Sequence, residues 1–231
     1  MRWLCISDIH GDADALSAVL AQAERRGFDK VLVAGDLCFP GPQPLAVWRR
    51  LASLPMTCVQ GLSDQAIATL DPSKVKASTP EEKARVERLA AVRAELGDLI
   101  LARLARLEPT ARLPLPDGGE LVLVHGSPKD PTEPITHDMS DEEVDALLGD
   151  DPADVVVCGG SHVPFDRTVL GVRVINVGSV GEAVYQGERF ADAAILSMER
   201  SASGWGELMV EPLLVPLAPS TTKALGAPTE T

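Results

Sequence analysis

Leu4-Cys5-Ile6-Ser7-Asp8-Ile9-His10-Gly11-Asp12 carries an apolar run straight into two carboxylates, an imidazole and a glycine. Residues 3–7 read as a buried strand. Residues 12–26 read as the helix that follows it, with Leu16, Val19, Leu20 and Ala23 on one face. The same arrangement recurs along the chain. Val31-Leu32-Val33 runs into Gly35-Asp36, Thr57-Cys58-Val59 into Gly61-Leu62-Ser63-Asp64, and Leu121-Val122-Leu123-Val124 into His125-Gly126-Ser127. Further on, Val155-Val156-Val157-Cys158 runs into Gly159-Gly160-Ser161-His162, and Val174-Ile175 into Asn176-Val177-Gly178-Ser179-Val180-Gly181. Polar or glycine-rich loops at strand C-terminal ends are where open α/β sheets build their sites. Three of the four histidines fall in these loops. Carboxylates and imidazoles converging at one end suit a divalent cation such as Mn, Fe, Zn or Ni.

Between these loops, strands alternate with helical patterns, which predicts an α/β fold of sheets covered by helices. Strands are expected at 30–34, 56–59, 120–124, 154–158 and 172–177, and a helix at 43–53. Segments 193–199 and 207–214 read as a terminal hairpin. The stretch 79–108 is rich in Glu, Arg, Ala and Leu, with Leu89, Val92, Leu96, Leu99 and Ile100 at helical spacing. It reads as a long helix broken at Gly97-Asp98, part of a helical cap inserted at about 70–110 in a single domain spanning 1–215. Ser140-Asp141-Glu142-Glu143 is a capping box that opens another short helix. Residues 216–231, made of Pro, Ala, Thr and Ser with little to bury, are expected to be a disordered tail.

Bulk properties narrow the partners. The 231 residues are 45% hydrophobic and 24% charged, an ordinary globular balance, and aromatics make up only 3%, so the core must be aliphatic. A formal charge of −13 opposes tight binding to long nucleic acid. A small phosphorylated substrate remains compatible, because a bound ion sets the local field. No run has the length or flanks of a signal peptide or a membrane span. Cysteines 5, 38, 58 and 158 form no Cys-x-x-Cys pair, which points to a reduced, cytoplasmic protein. The oligomeric state is not legible.

Each loop motif alone is a common turn or cap, and the ordered set carries the information. That set resembles the calcineurin-like metallophosphoesterases, in particular their small bacterial phosphodiesterase branch. The family runs Asp-x-His, Gly-Asp, Gly-Asn-x-Asp, His-Gly, Gly-His-Thr-His and Asn-Pro-Gly-Ser-Val-Gly in the order of the six loops here, over roughly residues 1–200. The resemblance implies a four-layer α/β/β/α sandwich and a metal-dependent phosphohydrolase, with metal-bound hydroxide as nucleophile on a small phosphoester.

Carried over by position, the resemblance implies that Asp8, His10, Asp36 and His162 hold one metal. The second would take Asp36, Leu62, His125 and Gly160, and two of these are not ligands: leucine cannot coordinate a cation and glycine offers at most a carbonyl. One ion is therefore expected to bind tightly, with the second site weak or empty. Losing the two-ion clamp on the phosphoryl oxygens implies a rate loss on the order of a thousandfold. His125, freed from its metal, and Asp64 are the candidate catalytic groups, while Ser63 stands where many relatives place a catalytic histidine. His137, Cys38 and Arg167 are weighed as replacements, the first two as ligands and the third for phosphate, against plainer readings as surface, packing and salt-bridge residues. The rival to an enzyme is a degenerate member that keeps the fold as a binding or scaffold protein. A plain nucleotide-binding protein fits less well, because no dinucleotide fingerprint follows the first strand.

Overall fold

A computed structural model describes residues 1–150, 153–202 and 204–218. The first half runs β1 (Arg2–Ile6), α1 (Ala13–Glu24), β2 (Lys30–Val33), α2 (Pro44–Ala52), β3 (Met56–Cys58), α3 (Leu62–Thr69) and α4 (Pro80–Leu104). There follow β4 (Thr110–Pro114), β5 (Glu120–Val124), α5 (Asp141–Leu148), β6 (Val155–Cys158), β7 (Phe165–Val169) and β8 (Val172–Asn176). The chain ends with β9 (Ala183–Tyr185), β10 (Glu188–Ser197), the short pair β11 (Arg200–Ser201) and β12 (Gly204–Trp205), and β13 (Met209–Pro216).

The helices start where the sequence supplies caps. Asp12 accepts the Ala15 N–H at 2.8 Å ahead of α1. Reciprocal capping boxes open α4 (Thr79 with Glu82) and α5 (Ser140 with Glu143). Gly97 breaks α4 with φ 71 and ψ 165, at the position its sequence suggests.

Two sheets form the centre. One has the order β13-β10-β1-β2-β3, with β9 added on β10; β1, β2 and β3 are parallel, and the β10–β13 hairpin lies antiparallel beside β1. The other has the order β4-β5-β6-β8-β7, with β5, β6 and β8 parallel and an antiparallel strand on each edge. Side chains divide into three apolar clusters. Cys5, Leu32, Leu121, Leu123, Val157 and Ile175 meet between the sheets. Leu4, Ile6, Val31 and Val33 face α1, α2 and α4, while Val122, Val124, Val156 and Val174 face α5 and Ile135. Each fully buried aliphatic side chain contributes about 1.5–3 kcal/mol, so the parallel strands read as continuous apolar runs because both of their faces are covered.

The helix α3 and the strands β4, β7, β9, β11 and β12 went unread in the sequence. β4 and β7 are edge strands of five residues with mixed burial, β9, β11 and β12 span only two or three residues, and α3 begins inside a loop motif. In α4, Leu89, Val92 and Leu96 are buried as expected, but Leu99 is 71% exposed. The break at Gly97 rotates the next turn, so Leu101 and Leu104 face the core instead. Two residues of the segment expected as a tail belong to the sheet edge: Pro216 pairs with Phe190, and the Leu217 N–H reaches Arg189 O at 2.9 Å. The remainder of that expectation, 219–231, lies outside the described residues.

Candidate metal centre

The C-terminal ends of β1, β2, β5 and β6 bring five expected residues together. Asp8 and His10 follow β1, Asp36 follows β2, His125 follows β5 and His162 follows β6. Backbone bonds lash these loops to one another: Asp8 N–H to Gly35 O (3.1 Å), His10 N–H to Asp36 O (2.9 Å) and Gly159 N–H to His125 O (3.0 Å). The 176–181 segment forms the floor. Ser179 Oγ donates to Asp8 O at 2.9 Å, and Asn176 Nδ2 donates to Gly159 O at 2.8 Å and to Ser161 Oγ at 3.0 Å. A side chain at Gly159 would put its Cβ 1.9 Å from Ser7 Oγ and 2.6 Å from Asp8 Oδ2, so only glycine lets these two loops meet.

Asp8, His10, Asp36 and His162 share a backbone feature that the sequence does not announce. Their φ angles are 53, 49, 56 and 59, all left-handed. Such a conformation at a non-glycine residue costs on the order of 1 kcal/mol or more and gathers at functional sites. Among the described residues, the other non-glycine positions with positive φ are Leu170 and Gln186, each next to a glycine in a strand connection.

The side chains converge with their acceptor atoms inward. His162 Nε2 lies 3.1 Å from Asp8 Oδ1 and 3.2 Å from His10 Nε2. His10 Nε2 is 3.6 Å from Asp8 Oδ1 and 4.0 Å from Asp36 Oδ2, while His125 Nε2 stands 3.7 Å from the same Asp36 oxygen. Asp8, His10 and His162 thus form one group able to hold a cation, and Asp8, Asp36 and His125 form another. The Nδ1 atoms are engaged elsewhere: His10 Nδ1 lies 2.6 Å from Phe39 O and His125 Nδ1 2.7 Å from Ala34 O. A carbonyl can only accept, so each Nδ1 carries the proton and each Nε2 turns a lone pair toward the carboxylates. Asp8 Oδ1 is buried and has no hydrogen-bond partner, whereas its other oxygen accepts the Gly160 N–H at 2.9 Å. Lone pairs facing lone pairs around an orphaned carboxylate oxygen are what a divalent ion would satisfy, and two carboxylates with two imidazoles are a chemically fitting donor set.

Without an ion, protons take over part of that duty. Burial disfavours a charged His10, but the adjacent Asp8 carboxylate and the charges of Glu182 and Asp36 outweigh it and push its pKa up to about 9. For His162 the adjacent Asp8 carboxylate is the largest influence and also raises the value. Burial would raise Asp8, yet its contacts with His10 and His162 and the charge of His125 hold it well below the usual carboxylate range.

Other sequence-selected residues stand apart from the two groups. Leu62 opens α3 and is 45% exposed. A Cβ on Gly160 would sit 3.5 Å from His125 Nε2, beside the second group, but Gly160 itself supplies no side chain. Ser63 turns its backbone N–H to Asp36 Oδ1 at 2.8 Å. His137 is exposed and Cys38 is buried against Pro44 O, so neither completes a site. Arg167 does not reach toward phosphate; it donates to Met139 O (2.7 Å) and Ser140 O (3.3 Å) beside α5.

Asp64, expected as a catalytic group, lies behind the Asp36 loop. It is fully buried, and its two oxygens accept the N–H groups of Asp36 (2.8 Å), Leu37 (2.9 Å) and Gly61 (3.1 Å). These bonds tie the Asp36 loop to the start of α3. Sequence reasoning also missed Glu182, whose Oε2 lies 3.5 Å from His162 Nδ1 and 3.7 Å from His10 Nε2. Its only sequence signal is its place directly after the Asn176 to Gly181 motif.

Two sheets with helices on their outer faces, and histidine–aspartate groups where the parallel strands end, define a protein of the metallophosphoesterase class. The chain belongs to the calcineurin-like phosphoesterase superfamily, whose domain profile matches residues 1–201. Among solved structures, a hypothetical protein from Pyrococcus horikoshii OT3 is similar at 22% identity and a TM-score of 0.74, covering 94% of this chain and 88% of that one. A metallophosphoesterase from Sphaerobacter thermophilus is similar at 26% identity and a TM-score of 0.65, covering 84% of this chain and 82% of that one. A predicted phosphoesterase from Streptococcus pneumoniae TIGR4 shares the fold at 15% identity and a TM-score of 0.51, over 94% of this chain and 92% of that one. No curated protein matches the chain.

Proposed function

We propose that this protein is a metal-dependent phosphohydrolase acting on a small phosphodiester or phosphomonoester, with one divalent ion held by Asp8, His10, Asp36 and His162. The observation that carries the reading is the convergence of acceptor atoms around the orphaned Asp8 Oδ1 from four residues held in left-handed backbone. A divalent ion, manganese being our first choice, supplies charge that acidifies a water and polarises a phosphoryl oxygen. The protein does the rest. Asp36 Oδ2 faces both His10 and His125, so it can serve the ion while orienting His125. His125, only 3% exposed and with its Nδ1 proton held by Ala34 O, keeps the Nε2 lone pair toward the site, where it can take up a proton in the reaction and pass it to a phosphoryl oxygen. Arg88 of α4 donates to Pro40 O (2.7 Å) and to Gly41 O, next to the Phe39 carbonyl that holds His10. The helical segment therefore borders the site and would screen substrates. The acidic surface disfavours long nucleic acid, and four free thiols fit a reducing, cytoplasmic setting.

The test is hydrolysis of a bis-aryl phosphate with added manganese, comparing wild type with Asp36→Asn. Turnover in wild type that disappears in the variant is expected. Activity that survives Asp36→Asn would belong to another site or a contaminant. A second reading, a binding or scaffold protein on the same fold, is favoured by Leu62 and Gly160 standing where the family places ligands of its second ion. Manganese binding without turnover on any of a panel of phosphomonoesters and phosphodiesters would decide for it.

A further inference from the structure

The three histidines of the candidate centre are not held alike. His10 and His125 are nearly buried, and a backbone carbonyl takes each Nδ1 proton. His162 lies at the rim, with 31% of its side chain exposed. Its Nδ1 lies 3.5 Å from Glu182 Oε2, on the loop that follows the site floor. Glu182 is fixed at its backbone by a 2.9 Å hydrogen bond from its N–H to Ser179 Oγ, the same hydroxyl that donates to Asp8 O. One serine thus sets the spacing between Asp8, which His162 Nε2 faces, and Glu182, which its Nδ1 faces.

We propose that Glu182 is the positioning residue of His162: its carboxylate accepts the Nδ1 proton, fixes the tautomer, and aims Nε2 at the ion. The idea rests on the metal reading of the previous section. Asp8 and His10 meet His162 at its Nε2, whereas Glu182 faces the opposite ring nitrogen, Nδ1, the place of an outer partner. A carboxylate is a stronger acceptor than a carbonyl and makes the imidazole a better donor to a metal. A ligand on a half-open rim needs that more than one locked in the core, since solvent otherwise competes for its Nδ1 proton and leaves the ring free to turn. Loss of such an outer partner typically weakens metal binding roughly 10- to 100-fold.

The test measures manganese affinity by titration calorimetry on the full chain stripped with chelator, for wild type, Glu182→Ala and Glu182→Gln. Alanine removes the acceptor; glutamine keeps an amide oxygen in the same place without the charge. Because the Glu182 side chain is 43% exposed, both variants should keep the wild-type melting temperature, which is measured alongside. The expected result is a loss of roughly 10- to 100-fold for Glu182→Ala with substantial recovery in Glu182→Gln. The visible spectrum of the cobalt-substituted protein should also change in the alanine variant and return toward wild type in the glutamine one. Equal affinity of Glu182→Ala and wild type, within about twofold, overturns the inference and leaves the metal reading standing. Equal losses in both variants would mean that Glu182 acts by charge alone, which also overturns it. Failure of the wild type to bind manganese or cobalt would sink the metal reading itself, a result distinguishable from the other two.

Discussion

Replacing Asp64 separates positioning from chemistry more sharply than any other single change. Its carboxylate is fully buried and accepts three backbone N–H groups, from Asp36, Leu37 and Gly61. Asp64→Ala would leave all three donors unsatisfied in a site closed to bulk water. Each buried orphan costs about 1–3 kcal/mol, so even the low end gives about 3 kcal/mol, a large share of the ~5–15 kcal/mol that holds a domain together. For a chain of this length that corresponds to a fall in melting temperature of roughly 6–12 °C. Asp64→Asn is milder. Oδ2 serves two donors and Oδ1 serves one, so the amide oxygen would take the Asp36 and Gly61 side and its NH2 would oppose the Leu37 N–H. One lost partner gives about 1–2 kcal/mol. Relief of repulsion from Asp36, which together with burial pushes the Asp64 carboxyl up to about 7, offsets part of either loss. Thermal unfolding followed by circular dichroism, with and without manganese, should rank wild type above Asp64→Asn and Asp64→Ala lowest. Unchanged melting together with abolished turnover would refute this reasoning and return Asp64 to the chemistry.

Two further outcomes follow from the same geometry. His10 must be neutral to bind an ion, but in the ion-free protein its pKa is raised to about 9; manganese binding should therefore release a proton below that pH and tighten, by up to roughly tenfold per unit, as pH rises from about 6.5 toward 9. The sign for the ion-free protein is the opposite: a raised histidine contributes stability that is fully present below about 6.5 and lost as pH climbs through about 9, which calorimetry in buffers of different ionisation enthalpy and melting at several pH values would check. Installing the family's ligands with Leu62→Asn plus Gly160→His should raise manganese stoichiometry from one to two and increase turnover, at a stability cost of about 1 kcal/mol because Gly160 has φ 73; stoichiometry and rate that both stay at wild-type levels would disprove the account of the lost second site.

By itself the sequence determined the inner strands, the loops at their ends and the residues those loops carry. Continuous apolar runs such as Val155-Val156-Val157-Cys158 are legible because a strand covered on both faces has no polar side to show. The capping box at Ser140 and the break at Gly97 are local too, each a matter of a few consecutive residues. Asp8, His10, Asp36, His125 and His162 could be singled out because their motifs follow one another in the order of the family they resemble. Only the tertiary structure decided what depends on contacts far apart in the chain. His10 and His162 meet across 152 positions, β10 returns to lie beside β1, and the edge strands β4 and β7 exist by virtue of the neighbours they pair with. The burial of Asp64, the left-handed backbone of Asp8, His10, Asp36 and His162 and the approach of Glu182 to His162 belong to this second kind. Hydrogen-bond partners from other loops fix all three, and no periodicity within a short window records where those loops will dock.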